Sequence, residues 1–422
     1  MIMKRSIYRI VTAVAGACLL VNSGVAAPKG KAGKGDKLKA DASAFDPLDG
    51  KVYRANLGRT GLHKTSGAPS LSKVRWKFKT GAEVRSSPVV VDGVVYVGSN
   101  DKHVYAIDLK TGALKWKASA GDEVIGSAAV VDGAVYIPCK EEGVLALNAA
   151  DGKELWRAKT GSACGGSPVI AYGAVIISAG AKSGKINKSP MMTGPIMAFS
   201  QSDGKLIYSA AEGIFSSAAY ATDGRWLFGH YPSQYSVHSI EDGSHVTDVF
   251  QTGGQRYPWG SVSYVDGVAY YPLALGGYVD AYTVEANGST KLLWRNATVE
   301  ENLGVTVQLG AISGHEILGD MAVTDELVLA PCWDGGLYAF STKDGKLAWK
   351  YQIEPASPIM GSPSVAGGVA YFGAWDGHLY AIGPDGKLKS KIKLGGRLNT
   401  SPWPADGVVV VGSDDGNVYA VE

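Results

Sequence analysis

Several local signatures of chemistry are missing from this chain. No Cys-X-X-Cys-His segment offers a covalent haem, no His-Glu-X-X-His or paired-histidine spacing offers a metal, and no Ser, His, Asp order emerges from spacing alone. The apolar run 10–21 is too short for the about 20 residues that a membrane-spanning helix requires. It follows Lys4, Arg5 and Arg9 and ends in the small residues of NSGVAA, which predicts a signal peptide over 1–26 and export to the bacterial periplasm or beyond. Cys18 is a candidate lipid anchor, although Ala15 stands where such a site normally carries a large aliphatic residue; the alternative is an ordinary apolar residue of the signal.

A basic excess is also missing from the body of the chain. Residues 1–44 hold 8 of the 41 Lys and Arg and 2 of the 39 Asp and Glu, which leaves 33 against 37 and a net charge of −4 on the remainder. A duplex-binding domain is normally basic, so nucleic acid is not an expected partner. The glycine- and lysine-rich stretch 27–50 is expected to be a flexible linker.

What is present is glycine, 56 of 422 residues, and a repeat. Trp76, Trp116 and Trp156 recur every 40 residues, as do Gly93, Gly133 and Gly173. Each unit holds four short apolar runs, as in SSPVVVDG, VVYVGS, HVYAIDLKTG and ALKWKASA. Asp-Gly and Thr-Gly pairs between them accept the positive φ of tight hairpin turns. Four antiparallel strands in about 40 residues are the signature of a propeller blade.

First strands near Ser86, Gly126, Gly166, Phe215, Trp259, Gly319, Gly361 and Asn399 give eight blades. The last copy stops after its third strand, whereas SKVRWKFKTG at 72–81 is a fourth strand with no blade ahead of it. The expected fold is therefore all-β: an eight-bladed β-propeller of four-stranded antiparallel blades over 51–422, its ring closed by an N-terminal strand that removes an exposed edge. Trp76, Trp116, Trp156, Trp294 and Trp349 on the outermost strands are expected to cover the seam to the next blade, with Tyr208 and Val249 standing in elsewhere. At about 25 cal/mol per Å2 and about 200 Å2, each contributes about 5 kcal/mol at most.

The segments VYVGSNDKHVYAIDLKTGALKW and LVLAPCWDGGLYAFSTKDGKLAW, with YRANLGRTG ahead of VRWKFKTG, resemble the PQQ-binding-like β-propeller repeat over roughly 52–422. That family includes quinoprotein alcohol dehydrogenases and BamB, a lipoprotein scaffold in outer-membrane β-barrel assembly. Its dehydrogenases are longer and carry a vicinal Cys-Cys pair and an acidic calcium site, and no adjacent cysteines occur here. The resemblance implies a non-catalytic scaffold in the cell envelope with a protein partner and no cofactor; a PQQ- and calcium-dependent oxidoreductase is the alternative, and a carbohydrate or cell-wall binding module a third.

Strand order sorts the loops onto two faces. The Asp-Gly hairpin turns share one, and the second-to-third loops and blade crossings share the other, where sequence varies most and function is expected. On that face are placed Arg85, His230, Tyr231, Arg256, Trp259, Trp333, Trp375 and Trp403, residue types that anchor partners or stack on planar ligands. The plainer alternative is that several of them plug the central channel. Two long insertions, 179–195 with Lys182, Lys185 and Lys188, and 297–318 with His315-Glu316, suggest further contacts or mere disorder. His103 and His378 occupy one repeat position, and Asp414-Asp415-Gly416 matches Asp334-Gly335 and Asp376-Gly377, so repetition explains them better than metal ligation, and no metal is expected. Cys139 and Cys332 lie across the ring from each other; Cys139 could pair with Cys164, the alternative being three buried thiols.

Overall fold

The computed structural model describes residues 34–41, 43, 45–161, 163–179, 194–214, 220–230, 235–249, 260–274, 277–298 and 315–422. The expected signal peptide, Cys18, Tyr231, Arg256, Trp259 and most of the two long insertions lie outside them. The described residues form eight antiparallel sheets of four strands, two of which carry a fifth. Blade 1 shows the pattern: Val89–Val91 innermost, then Val94–Ser99, His103–Asp108 and, outermost, Leu114–Ser119. Innermost strands begin a few residues later than the sequence suggests, because the Ser-Pro stretch ahead of them serves another purpose described below. In blade 4 the innermost described strand is Ala221–Thr222, and Phe215, where the sequence suggests a start, lies outside the described residues.

The ring closes as expected. Val74–Lys79 pairs antiparallel with Asn417–Val421, with Trp76 opposite Ala420, and becomes the outermost strand of blade 8. Lys73 and Glu422 exchange main-chain hydrogen bonds at its end.

The outer tryptophans share one contact. Each indole N–H donates to a carbonyl of the following blade: Trp76 to Leu109 at 2.8 Å, Trp116 to Ala149 at 2.9 Å, Trp156 to Gln201 at 3.0 Å, Trp294 to Thr342 at 2.8 Å and Trp349 to Pro384 at 2.9 Å. Each ring also lies on that blade's turn glycine. At Gly152, where φ is +72°, an added Cβ would fall 2.7 Å from the Trp116 indole, so both backbone conformation and space demand glycine. Tyr208 makes the same hydrogen bond, to Ile240 at 3.0 Å. Val249 does not stand in at blade 4: it is Val246, beside Trp226, that meets the next turn glycine, Gly288, while Val249 pairs with Tyr235.

The stretch 27–50 is not a free linker over its described part. Lys34–Gly35 pairs with the outer strand of blade 3, Leu38 is buried and its N–H donates to Glu241, and Lys37 reaches Asp242 at 2.8 Å. Farther on, the chain enters the central channel. The carbonyls of Lys51, Leu57, Gly58, Thr60 and Gly61 accept from Val130, Thr222, Tyr264, Val323 and Val365, residues of the innermost strands of blades 2, 4, 5, 6 and 7. Leu62–His63 then runs parallel to Ser364–Ala366, and His63 sets its ring edge-on to Trp403 of blade 8 at 4.6 Å. Gly58 and Gly61 permit this path: a Cβ on the first would lie 2.2 Å from the Tyr264 carbonyl, and on the second 2.5 Å from the Arg54 guanidinium.

Two arginines lock the plug. Arg59 donates to the carbonyls of Tyr53, Ser167, Pro168 and Tyr220, and Arg54 to those of Met321 and Pro363. Both are buried, and burial lowers the Arg59 guanidinium to about 10, still charged at neutral pH.

Around this plug runs a belt of side-chain caps. The main-chain N–H of Ser401 donates to the Ser87 hydroxyl, that of Ser87 to Ser127, and that of Ser127 to Ser167, at 2.9, 3.0 and 3.0 Å. Farther round, Ser261 N–H donates to Asp320 at 2.6 Å and Asp320 N–H to Ser362 at 2.9 Å. These residues occupy the stretch just ahead of the innermost strands, so a hydroxyl or carboxylate of one blade satisfies the backbone of its neighbour.

Candidate functional site

The loop face is built on a second repeated contact. One or two residues after the second strand, a main-chain N–H donates to a carbonyl of the preceding crossing: Asn100 to Glu83, Lys140 to Glu123, Trp333 to Glu316, Trp375 to Pro358 and Asp414 to Arg397, at 2.8–3.0 Å. These five residues therefore hold equivalent places on the rim. The aspartate one residue on is a turn element, as the repeat suggested. Asp334, Asp376 and Asp415 each accept from a tyrosine four residues later, Tyr338, Tyr380 and Tyr419, at 2.6 Å, and Asp101 accepts from Tyr105. The second-to-third loop of blade 2 departs from this, with Glu141 and Leu145 in those places. His103 and His378 bond to the same turns, through the Asp101 carbonyl and the Asp376 carboxylate.

On this frame the rim side chains of blades 6, 7, 8 and 1 form one arc. Trp333 packs edge-on to Trp375 with centroids 4.9 Å apart, and the Arg397 guanidinium stacks 4.1 Å above the Trp375 ring. The Trp375 indole donates to Asn399 at 2.6 Å, and Asn399 donates to Asp414 at 2.8 Å. Arg85, 47% exposed, pairs with Glu83 at 2.8 Å and stands 3.8 Å from Asp414. Burial pushes the Asp414 carboxyl above its usual range, opposed by Arg85 and Asn399, and its Oδ1 has no hydrogen-bond partner. Both tryptophans remain partly exposed, and Arg397 is exposed.

The structure thus brings Arg85, Trp333 and Trp375 into one patch and adds Arg397, Asn399 and Asp414. Trp403 does not belong to it. It sits in the innermost strand of blade 8, Trp403–Ala405, 4% exposed and packed in the core, so for this residue the plainer expectation of a channel filler describes its place. His230 ends the strand Trp226–His230 of blade 4, and its side chain lies outside the described residues, as do Tyr231, Arg256 and Trp259. Cys139, Cys164 and Cys332 are buried free thiols, so Cys139 and Cys164 are not bridged. A separate cleft of about 520 Å3 opens on the opposite, tight-turn side, where Phe45 and Asn56 of the N-terminal segment face Trp226 and Tyr264.

The quinone and calcium implied by the family resemblance do not fit the described residues. The axis of the ring is filled by the segment bearing Arg54 and Arg59. One face of Trp375 is taken by Arg397 and its edge by Trp333 and Asn399, so that face offers a quinone no platform. A calcium site needs six to eight oxygen donors, whereas the one cluster of candidate metal ligands among the described residues is His315, Cys332 and Asp334.

Comparison with known proteins agrees with this architecture. No curated protein matches the chain. Among solved structures, BamB from Moraxella catarrhalis matches with TM-score 0.64 at 17% identity, covering 82% of this chain and 96% of that one. A quinohemoprotein alcohol dehydrogenase from Comamonas testosteroni matches with TM-score 0.72 at 16% identity, covering 90% and 82%. The computationally designed Ika8 protein matches with TM-score 0.63 at 17% identity, covering 83% and 98%. At such identities these likenesses establish the fold and nothing finer. The family model described as outer membrane protein assembly factor BamB matches residues 68–246 and 273–390, most of the chain, and the protein belongs to that family.

Proposed function

We propose that this protein is an exported, non-catalytic scaffold of the bacterial envelope whose rim over blades 6, 7, 8 and 1 receives a protein partner. The observation that carries this reading is the arc itself: Trp333, Trp375 and Arg397 are stacked on one another, partly exposed, and held by main-chain bonds to the blade crossings. Tryptophan and arginine dominate the energetics of protein interfaces, and rings fixed in advance lose little entropy on binding. Membership of the BamB family supports an envelope location and a protein partner. No helix among the described residues is long and apolar enough to cross a membrane.

A photo-crosslinking amino acid in place of Asn100 on the blade 1 rim, and separately in place of Asp132 on the tight-turn face, tests the proposal in intact cells of the producing bacterium. The rim probe is expected to capture one envelope protein, with the yield reduced at least tenfold when Trp375→Ala and Arg397→Ala are added. Equal capture from both faces, or capture insensitive to those two changes, would refute it.

A further inference from the structure

Blade 6 departs from its siblings at one point on the loop face. Its second strand, Leu327–Pro331, runs directly into Cys332; blade 2 has Cys139 at the corresponding place but no aspartate beside it, while Ser99, Ala374 and Ser413 stand there in blades 1, 7 and 8. Its crossing carries His315 immediately before Glu316, where the other crossings place Ala82, Asp122, Ser357 and Gly396 before the residue whose carbonyl accepts from the rim. Repetition explains Asp334, whose partners Tyr338 and Gly336 have counterparts in other blades. It does not explain why an imidazole and a thiol arrive beside that carboxylate in this blade.

The donor atoms of His315, Cys332 and Asp334 all lie within 4.8 Å of one another, with His315 Nδ1 3.5 Å from Asp334 Oδ2. We infer that these three side chains form a site for a borderline divalent transition metal of the zinc class, with a fourth position open to water. The donor set is one nitrogen, one sulfur and one oxygen, which suits zinc or cobalt and is too soft and too small for calcium or magnesium. Bonds of about 2.0–2.3 Å in a tetrahedron require donors about 3.5 Å apart, so loading contracts the triad by about 1 Å. The His315 side chain, 38% exposed, can supply that movement, while Cys332 is fixed by its burial and Asp334 by its bonds to Gly336 and Tyr338.

Charge around the site favours the same conclusion. Facing it are the carboxylates of Asp334 and the buried Glu316, with the Lys350 ammonium 3.3 Å from Asp334 Oδ2. Lys350 lies on the outermost strand, Leu347–Gln352, and also covers the Tyr338 ring at 4.6 Å. It holds the position of a counter-cation and must withdraw toward solvent when a metal enters. Binding is then an exchange: the metal takes the Cys332 sulfur, one thiol proton leaves to solvent, and the carboxylate changes partner from ammonium to metal.

Cobalt(II) titrated into the full-length, metal-free protein under reducing conditions tests this directly. The expected result is a single equivalent bound, with the intense ligand-field and thiolate-to-cobalt charge-transfer absorption of a tetrahedral thiolate site, displaced by zinc and accompanied by release of one proton. His315→Ala, at a half-exposed side chain, is expected to weaken cobalt binding at least tenfold while leaving the melting temperature of the metal-free protein unchanged. Lys350→Met is expected to strengthen it several-fold. Absence of the charge-transfer band at one equivalent of cobalt overturns the inference. So does a band that survives in both His315→Ala and Cys332→Ser, since it would then arise at Cys18, Cys139 or Cys164.

Discussion

The Tyr53 hydroxyl donates to Asp320 Oδ2 at 2.8 Å, joining residues 267 positions apart on either side of the channel wall. Asp320 also accepts from Ser261 and sits in the belt where most described blades carry serine. The plug is therefore held by side-chain bonds to the belt as well as by strand-like bonds to the innermost strands.

Removing Arg59 should show how much of the stability rests on the plug. Its guanidinium satisfies four carbonyls from three separate stretches of chain, and Arg59→Ala strands them beside a cavity. Loss of about 3–5 kcal/mol is expected, read as a lower urea midpoint. Tyr53→Phe, which removes the bond donated to Asp320 and the long one accepted from Ser401, should cost about 1–2 kcal/mol. Equal small effects from both would mean that the plug is marginal to the fold.

Gly152→Ala tests the seam between blades 1 and 2. The added methyl meets the Trp116 ring at 2.7 Å in a left-handed backbone, and destabilisation of about 2–3 kcal/mol is expected. In Trp116→Ala the indole is gone, so the further cost of Gly152→Ala should fall to the backbone share of about 1 kcal/mol. A double-mutant cycle by thermal melting measures the difference; strict additivity would show that ring and glycine do not touch.

Acid should weaken the fold through His63. Burial, assisted by the Arg54 charge, lowers its imidazole to about 3, against about 6.5 in an unfolded chain. Between those values the unfolded chain binds a proton that the folded one refuses. Stability is therefore complete above about pH 6.5 and declines by up to about 1.4 kcal/mol per pH unit as the pH falls toward 3. His63→Gln should flatten that slope by about one proton between pH 6 and 4, as measured from urea midpoints. An unchanged slope would place the acid sensitivity elsewhere.

The parts of the fold legible in the sequence were those dictated by repetition. Tryptophans 40 residues apart, Asp-Gly turns and the orphan strand around Trp76 fix blade number, strand order and closure because each repeats one local energy minimum. The plug was not legible, because VYRANLGRTGLHK has no strand periodicity and meets its partners one carbonyl at a time. A signal was nevertheless present: two arginines in a glycine-bearing segment that holds no acid of its own between Val52 and Lys64. Of the candidate site, Arg85, Trp333 and Trp375 could be placed from loop order. Arg397, Asn399 and Asp414 could not, since what joins them to Trp375 is geometry across a blade boundary.

Asp320 has a consequence for assembly order. Eight sectors built on one pattern offer an incoming segment many nearly interchangeable angular settings, and serine belts alone would not tell them apart. The one acid among the described residues of that belt acts as an index mark: only with blade 6 opposite Tyr53 is the phenol matched to that carboxylate. The disc can then be nearly uniform in construction and still accept its axle in one orientation, which also sets where the tryptophan arc stands relative to the chain's N-terminal entry.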